Sequence, residues 1–159
     1  MSGSAFFDLL KPDMRSELGS HLFEAGEIIR FAEKFDPQRF HLSDELAKDT
    51  IFGRLCASGW MTASLWMKYN VSNSEAEMLR LTGHEGPGPE LGPSPGMRNL
   101  KWPAPVYVGD TISYYSTVTG TRKLERRPGW GLLTSHNYGV NQDGKLVFSA
   151  DGAVTVRLE

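Results

Sequence analysis

The sequence is poor in cysteine, since Cys56 is the only one among 159 residues. A single thiol excludes an intrachain disulfide, and the chain has no CxxC pair and no Cys/His spacing typical of a zinc site. The sequence therefore predicts no metal centre built on cysteine and favours a reducing, cytoplasmic setting.

A charge excess and a long apolar run are also missing. The formal net charge is −2 and the pI is about 6.1, which gives no electrostatic reason to expect nucleic acid or an anionic membrane as a partner. No stretch approaches about 18 apolar residues, and the opening segment MSGSAFFDLLKPDMRSELG has neither the basic start nor the apolar run of a signal peptide. We therefore expect neither secretion by a standard signal nor a membrane-spanning segment.

The chain does contain enough apolar material for one core, because 40% of its residues are hydrophobic and its length is typical of one domain. We expect a single domain over residues 1–159. Apolar residues recur at helical spacing over 25–35, Ser43 is suited to cap a short helix, and residues 55–71 are apolar on nearly every face. Such a helix is typically wrapped by other structure.

Strand patterns and a loop account for the rest of the chain. Residues 83–96 contain nine Gly or Pro in fourteen positions, which predicts a long loop. In the last predicted strand, apolar and polar residues alternate, so one face should pack and the other should be wet. Strands are predicted over 15–23, 100–108, 110–124, 130–140 and 145–158. This order predicts an α+β hotdog fold, a curved antiparallel sheet wrapped around a long central apolar helix.

The segment between the two main predicted helices carries candidate chemistry. Asp36 and His41 lie five residues apart, shortly before Gly59 at the start of the apolar helix. Hydration or dehydration next to an activated carbonyl needs groups that move the protons of one water and a fixed N–H that stabilises the developing oxyanion. The pattern therefore predicts an enzyme with an acid/base pair beside an oxyanion site.

Three ordered segments, FDPQRFH, FGRLCASGWMTASLW and LKWPAPVYVGDTI, resemble the MaoC-like dehydratases and the (R)-specific enoyl-CoA hydratases. The resemblance runs from about Phe6 to the final strand. It implies the hotdog fold and reversible syn addition of water to a trans-2-enoyl thioester carried on coenzyme A or an acyl carrier. Coenzyme A would be part of the substrate, and no separate cofactor would be needed.

The resemblance also implies residue roles. The family's Asp and His fall on Asp36 and His41, which would hold and deprotonate one water for attack at C3. One of the two, with Asp36 favoured over His41, would then return a proton to C2. Its main-chain oxyanion donor falls on Gly59, whose N–H would polarise the thioester carbonyl. The residues expected to contact the substrate are the neighbours of Gly59, namely Ser58, Trp60 and Met61.

Departures from the family pattern leave alternatives open. Arg39 stands where the family usually has Pro, and Met61 stands where close relatives often have His. For Trp60 and Met61, packing in the core is the alternative to contact with the substrate. A thioesterase of this fold commonly takes a carboxylate from the central helix, but residues 55–71 contain no Asp or Glu. A catalytically silent acyl-thioester-binding or structural subunit of a hydratase is the other alternative.

A partner copy is expected as well. A single hotdog sheet leaves edges and an apolar face uncovered, which predicts a homodimer or higher homo-oligomer with the site at or near the subunit interface. The family implies the same arrangement.

Overall fold

Within residues 3–159, five antiparallel strands form one sheet, and a 24-residue helix packs against it. The computed structural model describes residues 3–159, so residues 1 and 2 of the predicted domain lie outside the described residues. In chain order the elements are α1 (Gly3–Leu9), β1 (Arg15–Leu22), α2 (Ala25–Phe35), a 3₁₀ turn (Arg39–His41), α3 (Asp44–Ala47), α4 (Gly59–Thr82), β2 (Gly96–Lys101), β3 (Thr111–Lys123), β4 (Trp130–Val140) and β5 (Leu146–Arg157). The strand order β1-β3-β4-β5-β2, together with α4, confirms the predicted hotdog fold.

The sheet curves because each of its strand pairs contains a register shift. Such bulges bend a strand and increase its twist. Helix α4 lies on the concave side of the sheet and contributes to two apolar clusters. Trp66 belongs to the first cluster and Met78 to the second. Burial of each large apolar side chain there contributes roughly 1.5–3 kcal/mol. The second cluster also contains Phe6 and Phe7 of α1, a helix that the sequence pattern did not predict.

Several predicted boundaries are confirmed. The helix over residues 25–35 and the strand over residues 130–140 match α2 and β4. Ser43 caps α3, since its Oγ accepts a hydrogen bond of 3.1 Å from Leu46 N–H. Residues 83–95 form no helix or strand, and they are attached to β5 by backbone hydrogen bonds such as Gly92 N–H to Thr155 O.

The central helix differs from the prediction in its ends and in its burial. It begins at Gly59 rather than at residue 55, and it continues to Thr82, where Gly83 with a φ of 66° ends it. One face is exposed, which we call the exposed stripe of α4. Its members are Trp60, Ser64, Met67 and Val71. The prediction of a helix covered on every side is therefore wrong for this chain, because one sheet covers only the opposite face.

Two strand predictions also need correction. The strand predicted over residues 100–108 is β2, which ends at Lys101 because Pro103 and Pro105 cannot donate to a ladder. In β5 the predicted alternation fails at residues 147–150, which are all buried. Val147 is an extra residue opposite β4 at this point, and a bulge interrupts the alternation of faces.

None of the helices within residues 3–159 combines the length and apolar character that crossing a bilayer requires.

Candidate active site

The carboxylate of Asp36 lies where α2 ends, and two side chains hold it. Asp36 N–H makes the last helical hydrogen bond, 2.9 Å to Ala32 O, and the following Pro37 disfavours further helix. Ser58 Oγ donates to Oδ2 at 2.7 Å, and Gln38 Nε2 donates to Oδ1 at 2.8 Å. One bond to each oxygen fixes the orientation of the carboxylate.

The surroundings of Asp36 act on its pKa in opposite directions. Partial burial raises the pKa because it penalises the charged form. Hydrogen bonds from Ser58 and Gln38, together with the His41 ring, lower it, and their combined effect is the larger one. The pKa of Asp36 therefore lies below its ordinary value, and the group is a carboxylate at neutral pH.

The imidazole of His41 is buried, and its neighbours decide its tautomer. Nδ1 lies 2.7 Å from the carbonyl oxygen of Cys56, and because a carbonyl oxygen can only accept, Nδ1 carries a proton. In the neutral ring Nε2 then has a free lone pair, and it lies 3.3 Å from Asp36 Oδ2. A basic nitrogen and a carboxylate oxygen therefore face the same point.

Cys56 contributes its carbonyl group rather than its thiol. Burial and the nearby Asp36 charge raise the pKa of the Cys56 thiol to about 11. The sulfur is therefore protonated at neutral pH and is a poor nucleophile. Its backbone is anchored by a 3.1 Å hydrogen bond from Cys56 N–H to Phe40 O, which keeps the carbonyl in place beside His41.

Gly59 is the first residue of α4, and its position depends on the absence of a side chain. Ser58 caps the helix by accepting a 3.2 Å hydrogen bond from Trp60 N–H. The Gly59 N–H forms no hydrogen bond with any residue from 3 to 159, and it stands at the positive end of the helix. A Cβ on Gly59 would lie 2.6 Å from the indole of Trp102, so this indole can pack there only against glycine.

These groups meet in a cavity of about 440 Å³. Buried residues form its inner end, whereas the exposed Trp60 and Trp102 stand at its mouth, with ring centroids 5.0 Å apart. The complete lining consists of Asp36, Gln38, Phe40, His41, Phe52, Cys56, Ala57, Gly59, Trp60, Thr62, Trp102, Pro103, Ala104, Pro105, Val106 and Val147. Among the described residues, no lysine or arginine lines the cavity. The cavity can therefore present a base, a carboxylate and a free backbone N–H to a largely apolar ligand.

The three predicted substrate contacts lie in different places. Trp60 lines the cavity, and its contact with a substrate stays a prediction. Ser58 is not part of the lining, and its hydroxyl donates to Asp36 Oδ2, so it positions the carboxylate, while its predicted contact with a substrate stays a prediction. Met61 is buried in the first apolar cluster and lines a separate groove beside α2, so it too lies outside the Asp36 cavity. For Met61 the alternative of core packing applies.

Sequence reasoning missed several residues of the site. Gln38 follows Asp36 by two positions, and the quoted LKWPAPV segment contains Trp102, but neither was assigned a place in the site. Arg39, the departure from the family pattern, opens the 3₁₀ turn without separating Asp36 from His41.

No three side chains of His, Cys, Asp or Glu come together as a metal site within residues 3–159. The expectation that no cofactor is needed stays a prediction.

The chain is similar to several known proteins over most of its length. A family model described as a MaoC like domain matches residues 12–130. The crystal structure of the MaoC-like dehydratase from Rhodospirillum rubrum has a TM-score of 0.80 and 31% identity, covering 97% of each chain. The (R)-hydratase from A. caviae involved in PHA biosynthesis has a TM-score of 0.64 and 27% identity, covering 94% of this chain and 98% of that chain. The protein YdeM of Bacillus subtilis (strain 168) is 27% identical over 131 residues, which is 82% of this chain and 84% of the relative.

Proposed function

We propose that this chain adds water reversibly and in syn fashion to a trans-2-enoyl thioester. The premise is that the chain belongs to the family of MaoC-like domains and is a hydratase or dehydratase. The product would be an (R)-3-hydroxyacyl thioester. Coenzyme A or an acyl carrier would supply the thiol part of the substrate.

The observation that carries this proposal is the approach of His41 Nε2 to Asp36 Oδ2 at 3.3 Å, in a cavity that Gly59 also lines. A water molecule beside these two atoms can donate one hydrogen bond to each. Because both acceptors lie on one side of the cavity, the hydroxyl group and the proton would be delivered to the same face of the double bond.

In the proposed reaction the water oxygen bonds to C3, while the water gives one proton to His41 Nε2. The C2=C3 electron pair moves toward the thioester carbonyl, whose oxygen becomes negative and accepts a hydrogen bond from Gly59 N–H. The proton then passes through Asp36 to C2, which restores the carbonyl and leaves both side chains in their starting states. The reverse sequence is a dehydration.

A direct assay tests the proposal. The purified chain is incubated with a series of trans-2-enoyl-CoA and enoyl-carrier thioesters, and the absorbance of the conjugated thioester is followed. We expect this absorbance to fall while no free thiol appears, and the product to be the (R)-3-hydroxyacyl thioester. Release of thiol would instead identify a thioesterase, and binding without any change would identify a silent member.

The geometry disfavours a thioesterase. The only carboxylate in the cavity lining is Asp36, which comes from the end of α2, and the acidic residues of α4, Glu75 and Glu77, lie in its second half. No acid from α4 is therefore placed to activate a water toward the thioester carbon.

We also propose that the chain works as a homodimer or higher homo-oligomer. The exposed stripe of α4 is uncovered, and the outer strands β1 and β2 each pair with one neighbour only, so both sheet edges are free within the described residues. Trp60 belongs both to this stripe and to the cavity mouth. A second copy that covers the stripe would therefore border the active site. A single domain over residues 1–159 and a cytoplasmic location complete the proposal.

A further inference from the structure

Thr62 is a polar residue inside the cavity that the reaction described above does not use. It lines the cavity and is only 1% exposed. Its hydroxyl makes no hydrogen bond with any residue from 3 to 159. It is not one of the fully enclosed side-chain atoms that lack a partner, which are Trp66 Nε1 and Asn137 Nδ2, so it is accessible from the cavity. A ligand in the cavity can therefore be its hydrogen-bond partner.

The local helix geometry explains why the hydroxyl is free. Serine and threonine in helices commonly donate back to the carbonyl four residues earlier, and Ser64 and Thr82 in the same helix do so at 2.7 and 2.8 Å. For Thr62 that carbonyl belongs to Ser58, and it already accepts hydrogen bonds from Met61 N–H and Thr62 N–H. With both lone pairs occupied, the carbonyl offers no place for the Thr62 hydroxyl.

The residue is also held firmly in place. Tyr114 Oη donates a 2.9 Å hydrogen bond to Thr62 O, and Tyr114 itself is 1% exposed. This contact ties the first turn of α4 to β3. Thr62 therefore has a defined position and does not lie in a frayed helix end.

Gly59 and Thr62 lie three residues apart, which places them on the same face of α4. Because Cα–Cβ bonds in a helix tilt toward its N-terminus, the Thr62 side chain leans over the turn that begins with Gly59. An oxygen that accepts a hydrogen bond from Gly59 N–H is therefore on the side toward which Thr62 leans. Hydroxyl groups and backbone N–H groups are the usual donors of oxyanion sites.

We propose that the Thr62 hydroxyl is a second hydrogen-bond donor to the thioester carbonyl oxygen, next to Gly59 N–H, which makes Thr62 a catalytic residue. This inference rests on the proposed hydratase function. It predicts that Thr62 contributes mainly when negative charge develops on that oxygen, since a charged acceptor strengthens the hydrogen bond.

The test uses the wild-type protein and variants with trans-2-butenoyl-CoA. Thr62→Val and Thr62→Ala both remove the hydroxyl, Thr62→Ser keeps it, and Ser64→Ala is the matched control for another hydroxyl of α4. We expect kcat to fall by about 10²-fold in the two variants that lack the hydroxyl, the reduction typical of a lost oxyanion donor. KM should stay within about threefold, and Thr62→Ser should restore most of kcat.

A second measurement does not depend on turnover. Butyryl-CoA has no double bond to hydrate, and the infrared band of its carbonyl shifts to lower frequency with each hydrogen bond that the oxygen accepts. In Thr62→Val or Thr62→Ala the band of the bound ligand should move part of the way back, and in Ser64→Ala it should stay. An unchanged kcat or an unmoved band would overturn the role of Thr62, even if wild type is an active hydratase. A wild type that hydrates none of the enoyl thioesters would instead overturn the proposed function, and this inference with it.

Discussion

At the scale of single residues, Asp36 and His41 can be compared with a second Asp–His pair in the same chain. His136 Nδ1 lies 2.8 Å from Asp151 Oδ1, but this pair is about half exposed, and neither residue lines the cavity. We predict that Asp36→Asn and His41→Ala each lower the hydratase rate by about 10² to 10⁴, because acid/base catalysis contributes about that much. Steady-state kinetics would measure the loss, and circular dichroism would check that the fold is kept.

The matched variants Asp151→Asn and His136→Ala should keep the wild-type rate. If Asp36→Asn or His41→Ala keeps more than about a tenth of the wild-type rate, the substituted residue does not have the acid/base role.

Ser58 gives a prediction about pH, because its hydroxyl helps to depress the pKa of Asp36. The pKa of Asp36 is lower in the folded protein than in the unfolded chain, where it is about 3.9, so the ionised group stabilises the fold at pH values above that. This contribution to the unfolding free energy is lost as the pH falls through the pKa of the folded state. Ser58→Ala should therefore raise the pKa of Asp36 and should cost most unfolding free energy near neutral pH. Carboxyl titration by NMR and urea unfolding at several pH values would measure both effects.

Ser58 also caps α4, and a variant of Ser43 is the control for the loss of stability that comes from removing a helix cap. Ser43→Ala also removes an N-cap, worth about 1 kcal/mol, but it does not touch Asp36. Its loss of stability should hardly vary with pH between about 3 and 7, whereas the loss in Ser58→Ala should shrink as pH falls below about 4. Parallel pH curves for the two variants would contradict the link between Ser58 and Asp36.

How much of the site could be predicted depends on whether a contact is local. Asp36 and His41 were recognisable because both lie in one short segment that also resembles a family motif. The hydrogen bond from Ser58 to Asp36 joins residues 22 positions apart, and it exists only because the end of α2 meets the start of α4. No pattern in the sequence encodes that approach, so the sequence did not predict that Ser58 positions Asp36.

At the scale of elements, the start of α4 depends on a glycine. We predict that Gly59→Ala destabilises the fold by about 1–3 kcal/mol, because the added Cβ would overlap the ring of Trp102. Gly26→Ala in α2 is the matched control, since its Cβ would meet only the flexible end of Arg30. It should be neutral or stabilising by up to about 1 kcal/mol. Urea unfolding would compare the two.

A double substitution shows whether Trp102 is the cause. In a Trp102→Ala background the cost of Gly59→Ala should largely disappear, which a double-mutant cycle detects as a coupling energy. Equal costs of Gly59→Ala with and without Trp102 would contradict the close contact.

Element boundaries were predictable where local signals agree. The end of α2 coincides with Pro37, and α3 begins after the capping Ser43, so both were recognised. The predicted start of α4 was wrong because residues 55–57 are as apolar as the helix, yet Cys56 pairs with Tyr107 in an isolated bridge. That pairing is a long-range contact, and apolar periodicity does not reveal it.

At the scale of the whole molecule, the exposed stripe of α4 predicts self-association. We predict that the purified chain sediments as a dimer or a larger homo-oligomer, and that Met67→Glu with Val71→Glu shifts it to monomer, because two carboxylates would have to be buried without partners. Ile51→Glu is the control, since Ile51 is 94% exposed and lies in a loop outside α4. Sedimentation equilibrium would measure the three proteins.

An unaltered association state in the α4 double variant would show that another surface is used, and a monomeric wild type would contradict the prediction of a homo-oligomer. The sequence predicted an uncovered apolar face but placed it on the sheet, whereas helix α4 also carries one. Residues 55–71 are apolar on nearly every side, so their pattern does not indicate which side of the helix meets the sheet. Packing against the two apolar clusters decides this.

The single thiol of the chain has a practical consequence. Cys56 is 1% exposed, is protonated at neutral pH and lies directly behind the His41 ring. Because Cys56 also lines the cavity, an alkylating reagent can react with it once the cavity wall opens locally or the segment before α4 detaches from the loop that carries Tyr107. The rate of its labelling therefore reports local opening beside Asp36 and His41 without an engineered probe.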